Sequence, residues 1–319
     1  MGSRIKYVVR VVRTVSSLFL AVGLLGIPTQ AVASEPVAAA VDIQTAKEAL
    51  AVKYADFLAG KLDSATMAAA EWAFTDQTGL ATFSPMAPSG YAEGPSGLVA
   101  QYEAIVLSKV PDGGGGARVL PVQQQPQTKN YYCGPATAVE ILQALGHATS
   151  TYNQALTQTE LARSWWLYTD YYGGTPWFGH PAWSCSDAGN YACYVMRNTL
   201  NHWRTGSNDG YYVPRRAPDD STYTQDLVFD IDRGWPIAGD MYQPANNSTL
   251  HLNGHPWDRS LKHWIALAGY RGTGGTETYY ADSASSEAVS YGGAVPPYSF
   301  YASSRIAAME RAWPFGHIW

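Results

Sequence analysis

The sequence predicts an α+β fold, because helical segments come first along the chain and strand-like segments come later. Residues 41–74 are rich in Ala, Leu, Lys and Glu, and Gly60 divides them into two short amphipathic helices. Residues 134–145 carry apolar side chains at helical spacing, and Gly146 ends that helix. Three strand-like runs follow, at 235–238, 264–270 and 278–281. This order favours an antiparallel sheet over alternating β-α-β units.

The first 33 residues have the features of an export signal. Basic side chains precede the apolar run 15–27, and Ala31-Val32-Ala33 supplies the small residues of a cleavage site. The run is shorter than the roughly 20 residues of a membrane span, so a retained anchor is the weaker alternative. We therefore predict a signal peptide at 1–33, secretion, and no membrane association after its removal. The cell wall is a further candidate location.

The glycine run 113–116 predicts a flexible linker between two parts of the mature chain. Residues 34–112 form a helical N-terminal region with its linker, and residues 117–319 form a domain of ordinary size. The apolar stretch 98–110 is compatible with a helix or a strand. The N-terminal region fits a propeptide, a docking module or a simple extension, and the sequence does not choose among them. It does not predict the oligomeric state either.

The charge of the chain argues against nucleic acid as a partner. The formal net charge is -5. Loss of the signal peptide with its four basic residues changes it to about -9, counted with ordinary side-chain pKa values. Phosphate binding needs clustered Lys and Arg, which such a chain does not offer. With 46% hydrophobic residues, the chain can still bury a substantial core.

The histidine-rich segment 251–258 is not expected to bind a metal ion. His251, His255 and Asp258 are of metal-ligand type, but Gly254 and Pro256 interrupt any helix that would place both His on one face. No His-Glu-x-x-His motif is present. A serine hydrolase is not expected either, because no Gly-x-Ser-x-Gly elbow occurs.

The chain has 3 Cys, an odd number, which in an oxidising compartment suggests one disulfide and one free thiol. Cys185 and Cys193 flank a turn-forming segment that can bring them within bridging distance, so we predict a disulfide between them. Cys133 is then free. The alternative is that all three are buried, reduced thiols.

Cys133 has the position of a reactive thiol. It directly precedes the predicted helix 134–145, where the helix dipole and free backbone N–H groups favour a thiolate. Gln127, six residues upstream, can donate to the oxyanion of an acyl transfer. The alternatives are a small buried residue at Cys133 and a chance occurrence of Gln127, because Gln is frequent at the neighbouring positions Gln123, Gln124 and Gln125.

His263 is the candidate partner of the thiol, because it begins a strand-like run and a His can protonate the leaving amine. Asp282 ends the next run and can orient the His263 ring. A hairpin symmetric about Gly274 would place His263 opposite residue 285, so pairing with Asp282 requires a bulge or an offset turn. A strand-end histidine and a turn carboxylate are the alternatives.

Three segments together resemble the bacteriocin-leader-processing (double-glycine) branch of the papain-like cysteine peptidases. They are Gln127 with 132–136, His263-Trp264 through Gly269-Tyr270, and Ala281-Asp282, and the resemblance covers mainly 121–283. It implies a papain-like fold in which the helix carrying the Cys is followed by an antiparallel sheet carrying the His and the Asp. It also implies roles for four residues: Cys133 as nucleophile, His263 as general acid and base, Asp282 as orienting residue and Gln127 as oxyanion donor.

The chain departs from that branch in several respects. Members that process bacteriocins are usually fused to membrane transporters, whereas this sequence has neither spanning helices nor a phosphate-binding loop. It is more similar to the stand-alone secreted relatives. Ser283 stands where Pro is expected, and the insertion 151–232 has no evident counterpart. The insertion is a candidate for substrate selection.

Four tryptophans are candidate substrate-binding residues, because aromatic side chains can line a groove for peptide or glycan. They are Trp165, Trp166 and Trp177 in the insertion and Trp264 beside His263. Core packing is the commoner role of such residues.

The sequence therefore predicts a secreted cysteine peptidase that hydrolyses a peptide or protein substrate and needs no cofactor. One alternative is an amide transferase or transpeptidase that uses the same Cys133. The other is a non-catalytic papain-like module that binds cell-wall glycan or peptide through its aromatic loops.

Overall fold

A computed structural model describes residues 42–84, 116–179, 193–313 and 315–319. The predicted signal peptide, residues 113–115 of the glycine linker, the stretch 98–110 and Cys185 lie outside these residues. The described helices are α1 (Ile43–Leu58), α2 (Ser64–Thr78), α3 (Cys133–Ala144), α4 (Gln158–Leu161), α5 (Thr169–Tyr172), α6 (Val195–Thr205), α7 (Asp220–Asp232) and α8 (Ser303–Ala312). Short 3-10 turns occur at 248–250 and 292–294. No helix in these ranges is both long enough and apolar enough to cross a membrane.

One antiparallel sheet forms the centre of the fold. Its strands are β1 (Ala117–Val119), β2 (Pro214–Arg216), β3 (Ile237–Gln243), β4 (Leu261–Arg271), β5 (Glu277–Ala281), β6 (Tyr298–Ala302) and β7 (Gly316–Ile318). The strand order is β2-β7-β3-β4-β5-β6, and β1 pairs with β4. The long strand β4 is buried from His263 to Tyr270. The α+β prediction is confirmed.

Helix α3 packs against strand β4 and places its first residue, Cys133, beside the sheet. Pro135 fits the first turn, where a missing N–H costs nothing. The helix is buried almost throughout, and Gly146 follows it with a φ of 82°, a conformation that glycine adopts without strain. The apolar spacing along 134–145 reflects this burial.

Helices α1 and α2 share the hydrophobic core of the helices and sheet that follow residue 116. Buried polar contacts fasten them to the C-terminal end of α7. Lys47 pairs with Asp230 at 3.1 Å, and the Tyr54 hydroxyl donates to Asp232 at 2.7 Å. Glu71 and Arg233 form a further buried ion pair. Residues 113–115 of the predicted linker lie outside the described residues, and the predicted domain boundary stays a prediction.

The hairpin of β4 and β5 contains an irregularity of the kind that pairing between His263 and Asp282 requires. Leu267 lies opposite Tyr280 and Gly269 opposite Tyr279, so β4 carries one extra residue between them. Asp282 follows directly after β5 and donates its backbone N–H to Pro297 on the other side, at 3.0 Å. The bulge and the position of Asp282 just beyond the strand together bring its carboxylate to His263.

Candidate active site

A cleft of about 850 Å³ opens beside the first residue of α3. One wall is the loop 172–178, which precedes α6, and another is the segment 288–291. Strands β3 and β4 supply the floor through Asp240 and residues 261–264. Five of the predicted site residues line this cleft: Gln127, Cys133, Trp177, His263 and Trp264.

Cys133 is a free, partly exposed thiol in the cleft. Burial of its surroundings tends to raise the pKa of Cys133, but a hydrogen bond with the His263 ring and the charge of that ring lower it. The nearby backbone N–H groups of Trp264 and Gly134 also lower the pKa of Cys133. The net effect is a pKa below the ordinary thiol value, which favours the thiolate.

His263 joins the thiol to a buried carboxylate. Its Nε2 lies 2.8 Å from Oδ1 of Asp282, which leaves Nδ1 as the nitrogen available to Cys133. Burial tends to lower the pKa of His263, but the charge and hydrogen bond of Asp282 and the contact with Cys133 raise it to about 10. The pKa of Asp282 is well below its ordinary value despite burial, because His263 and His255 both interact with it.

His255 is a second histidine on Asp282, and the sequence did not predict it there. Its Nε2 lies 3.0 Å from Oδ2 of Asp282, so the carboxylate lies between two imidazole rings. The His255 and His263 ring centroids are 5.1 Å apart. Gln243, at the end of β3, contacts the other nitrogen of His255. His251 and Asp258, which share the histidine-rich segment, make no contact with the Asp282 carboxylate in the described structure.

These residues also form the one group within the described ranges whose spacing would suit a metal ion. The candidate ligand atoms of His255, His263 and Asp282 all lie within 4.8 Å of one another. A metal ion would need the lone pairs of both Nε2 atoms. Both atoms instead lie at hydrogen-bond distance from Asp282 oxygens, which requires N–H groups there. The geometry fits a hydrogen-bonded cluster better than a metal site.

Gln127 lies at the edge of the cleft and is linked to the segment that carries Asp282. Its backbone N–H donates to the Ser283 carbonyl at 3.0 Å, and its carbonyl accepts from the Ser286 hydroxyl at 2.6 Å. Its side-chain Nε2 donates to the Lys129 carbonyl at 2.9 Å, which uses one of its two N–H bonds. The second N–H is available for an oxyanion.

Two neighbours of Gln127 and Asp282 have structural contacts that the sequence did not predict. Gln124 donates through Nε2 to the backbone carbonyl of Asp282 at 3.0 Å. The Ser283 hydroxyl, at the position where Pro was expected, lies 3.4 Å from Oε1 of Gln127. Gln124 and Gln127 thus help to hold the Asp282 segment against the start of the domain.

Asp240 is a further residue of the cleft floor, and no sequence motif indicates it. It is almost fully buried, and burial together with the nearby Cys133 raises the pKa of Asp240 well above its ordinary value. Its carboxyl group makes no hydrogen bond with another described residue.

The four predicted tryptophans fall into two places. Trp264 packs against Trp177 with ring centroids 5.8 Å apart and the planes tilted by 31°, and its Nε1 donates to the Thr175 carbonyl at 3.1 Å. Gly134 permits this arrangement, because a Cβ there would lie 2.0 Å from the Thr175 hydroxyl oxygen. Trp165 and Trp166 instead line a separate pocket of about 350 Å³ with Tyr152 and His202. They are not brought to the cleft.

Cys193 is fully buried just before α6. Its predicted partner Cys185 lies outside the described residues, so the disulfide stays a prediction.

Comparison with known proteins gives a family and no individual relative. No curated protein and no solved structure matches the chain significantly. The model of the Peptidase_C39 like family matches residues 119–308, more than half of the chain, and this span includes Gln127, Cys133, His263 and Asp282. These peptidases are cysteine peptidases with a papain-like fold. With its helix-borne cysteine and its antiparallel sheet, the chain belongs to the Peptidase_C39 like family.

Proposed function

We propose that this protein is an active peptidase that hydrolyses peptide bonds with the Cys133 thiolate. The observation that carries the proposal is the continuous chain from Cys133 through His263 to Asp282, placed at the wall of an open cleft. A low pKa of Cys133 and a raised pKa of His263 favour a thiolate and an imidazolium at neutral pH. A thiol that served only for packing would not need this partner.

In the first half of the reaction, the Cys133 sulfur attacks the carbonyl carbon of the scissile bond. The resulting oxyanion accepts hydrogen bonds from Nε2 of Gln127 and from the backbone N–H of Cys133, at the N-terminus of α3. His263 then gives its proton to the leaving amine as the carbon–nitrogen bond breaks. The products are a free amine and a thioester on Cys133.

In the second half, neutral His263 takes a proton from water, and the hydroxide attacks the thioester carbonyl. The carbon–sulfur bond breaks, the acid leaves, and the thiolate–imidazolium pair is restored. Asp282 keeps its negative charge throughout and orients the His263 ring. An amine that replaced water in this half-reaction would give the amide-transferase outcome with the same residues.

We further propose that the substrate is a peptide or protein chain that lies in the cleft beside Cys133. Trp177 and Trp264 line this cleft but are almost fully buried, so they shape its wall and offer little surface to a substrate. The export-signal features of residues 1–33 and the turn-forming residue types between Cys185 and Cys193 support the proposal of secretion and of a disulfide between these two cysteines. The glycan-binding alternative draws on Trp165 and Trp166, which lie in the other pocket.

The proposal is tested by incubating the purified protein, without its signal segment, with a peptide library derived from a bacterial proteome. New peptide termini are counted by mass spectrometry, with Cys133→Ala as the matched control. We expect cleavage by the unmodified protein and none by the variant. Parallel reactions with an added amine distinguish hydrolysis from amide transfer by product mass. Cleavage that persists in Cys133→Ala would overturn the assignment of the nucleophile.

A second measurement needs no substrate. Iodoacetamide alkylation of Cys133 is followed by mass spectrometry as a function of pH. An ordinary thiol reacts only as pH approaches about 8.5, whereas a thiolate–imidazolium pair reacts well below that value. A midpoint near 8.5 would reject the ion pair and with it the proposed chemistry.

A further inference from the structure

We propose that His255, held in one tautomer by Gln243, is a positioning residue that fixes the Asp282 carboxylate for His263. The inference rests on the proposed function and adds a second histidine to its machinery. His255 is not among the residues that line the cleft, and its hydrogen bond to Oδ2 of Asp282 is the contact through which it acts.

The amide of Gln243 determines where His255 carries its proton. The backbone N–H of Leu252 donates to Oε1 of Gln243 at 2.9 Å, which identifies that atom as the amide oxygen. The amide nitrogen Nε2 therefore lies on the other side, 3.1 Å from Nδ1 of His255. An amide nitrogen can only donate, so Nδ1 of His255 accepts and its Nε2 carries the hydrogen.

The same proton placement suits Asp282. An ionised carboxylate only accepts, and His255 presents an N–H to Oδ2. Oδ1 accepts from His263 at 2.8 Å and from the backbone N–H of Ala284 at 2.9 Å. With donors on both oxygens, the carboxylate cannot rotate without losing a hydrogen bond. The hydrogen bond from His255 to Oδ2 therefore fixes the carboxylate in the orientation in which Oδ1 accepts from His263.

His255 supplies this hydrogen bond as a neutral ring. Burial lowers the pKa of His255, and the nearby His263 and His251 lower it further, against the opposing effect of Asp282. The Tyr291 ring packs on it with centroids 5.2 Å apart. Because His255 stays neutral, the negative charge of Asp282 remains available to the imidazolium of His263.

The other described ionisable groups near Asp282 add neither a charge nor a hydrogen bond to Oδ2 at neutral pH. Burial raises the pKa of Glu140 to about 8, so this carboxyl is largely protonated at neutral pH. Tyr280 and Tyr291 have pKa values well above their ordinary value because of burial, and both stay neutral. Among the described residues, His255 is the side chain that donates to Oδ2 of Asp282.

The experiment compares Cys133 alkylation against pH in the full chain with His255→Gln and His255→Leu. A glutamine can place its amide nitrogen near the former Nε2 and donate to Asp282, whereas a leucine fills the space without a donor. We expect His255→Gln to keep the alkylation midpoint of the unmodified protein. We expect His255→Leu to raise it by about 0.5–1 pH unit, since weaker support of Asp282 weakens the His263 imidazolium.

Gln243→Glu is the second variant, and it carries the test if His255→Leu does not fold. A glutamate accepts from Nδ1, so His255 becomes an imidazolium that competes with His263 for Asp282. We expect the alkylation midpoint to rise here as well. Thermal melting reports the structural cost of each variant separately.

A lower melting temperature with an unchanged midpoint in both His255→Leu and Gln243→Glu would make His255 a core residue and overturn the inference. A Cys133 alkylation midpoint near pH 8.5 in the unmodified protein would instead contradict the proposed function. That result would also remove the basis for a positioning role.

Discussion

Two buried clusters of histidine and carboxylate in this fold use the same chemical groups differently. The cleft cluster consists of His255, His263 and Asp282, with two rings on one carboxylate. The sheet cluster consists of Asp226 on α7, Glu310 on α8 and His317 on β7, with one ring between two carboxylates. All six side chains are buried.

The two clusters differ in whether a histidine ring nitrogen is left to contact a thiol. In the sheet cluster, Nδ1 of His317 is 2.9 Å from Glu310 and Nε2 is 3.1 Å from Asp226, so both nitrogens are used. Arg215 completes the cluster with a 2.7 Å contact to Asp226. In the cleft cluster, His263 gives one nitrogen to Asp282 and keeps the other for Cys133.

A raised histidine pKa alone therefore does not identify a catalytic residue. The pKa of His317 is raised to about 9 by its two carboxylates against the opposing effect of burial, yet both of its ring nitrogens lie against carboxylates. His263 has a similarly raised pKa, but its ring also contacts a thiol that lines a cleft. The comparison predicts that the sheet cluster serves stability and the cleft cluster serves reactivity.

The largest expected effect comes from His317→Ala. The change leaves Asp226 and Glu310 facing each other in the core without the ring between them, and breaking a buried pair in this way costs about 3–5 kcal/mol. Urea unfolding should report that loss, while Cys133 in the folded protein should keep its alkylation midpoint. A shifted midpoint would mean that the two clusters are coupled.

His263→Ala should have the opposite pattern. Without the ring, the Cys133 thiol returns towards its ordinary pKa, and its alkylation rate at pH 6 should fall about 100-fold. The free energy of unfolding should fall less than in His317→Ala, because Asp282 keeps its hydrogen bond with His255. Alkylation at pH 6 and urea unfolding of the same preparation measure both quantities. An unchanged rate would separate His263 from the thiol.

The sequence was sufficient to predict the cleft residues Cys133 and His263, but not His255 or the sheet cluster. Cys133 at a helix start and His263 at the start of an apolar run have local patterns that suggest reactivity, and the helix and strands that carry them were also predicted. His255 lies in an irregular segment with no periodic pattern, and its contact with Asp282 spans 27 residues. The sheet cluster joins residues 91 positions apart.

Other parts of the fold were missed for the same physical reason. Strands β6 and β7 and helix α8 were not predicted, because short C-terminal segments gain their structure from pairing with distant strands. Docking of α1 and α2 onto α7 depends on buried Lys47 and Glu71, which in a sequence resemble solvent-exposed charges of an amphipathic helix. Tertiary contacts decide such elements.

The pH dependence of the free energy of unfolding is a further test of the sheet cluster. The folded-state pKa of His317 is about 9, above the ordinary value of 6.5, so its contribution to stability is fully present below about pH 6.5. The contribution is lost as pH rises through about 9. We expect the difference in unfolding free energy between the unmodified protein and His317→Gln to shrink by about 1–3 kcal/mol between pH 6.5 and pH 9.5. A constant difference would indicate a neutral His317.

The smallest expected effect belongs to Ser283, which links the cleft cluster to the proposed oxyanion donor. Its hydroxyl contacts Oε1 of Gln127 at 3.4 Å, a long hydrogen bond. Ser283→Ala should lower the turnover of a peptide found cleaved in the library by about 2- to 10-fold, the loss expected for one neutral hydrogen bond that orients a donor. Gln127→Ala should cost about 100-fold or more, because it removes the donor itself. Equal losses in the two variants would mean that Gln127 acts only when Ser283 holds it. Alkylation of Cys133 forms no oxyanion, so neither variant should change it, which separates this half of the site from the thiol and its histidine.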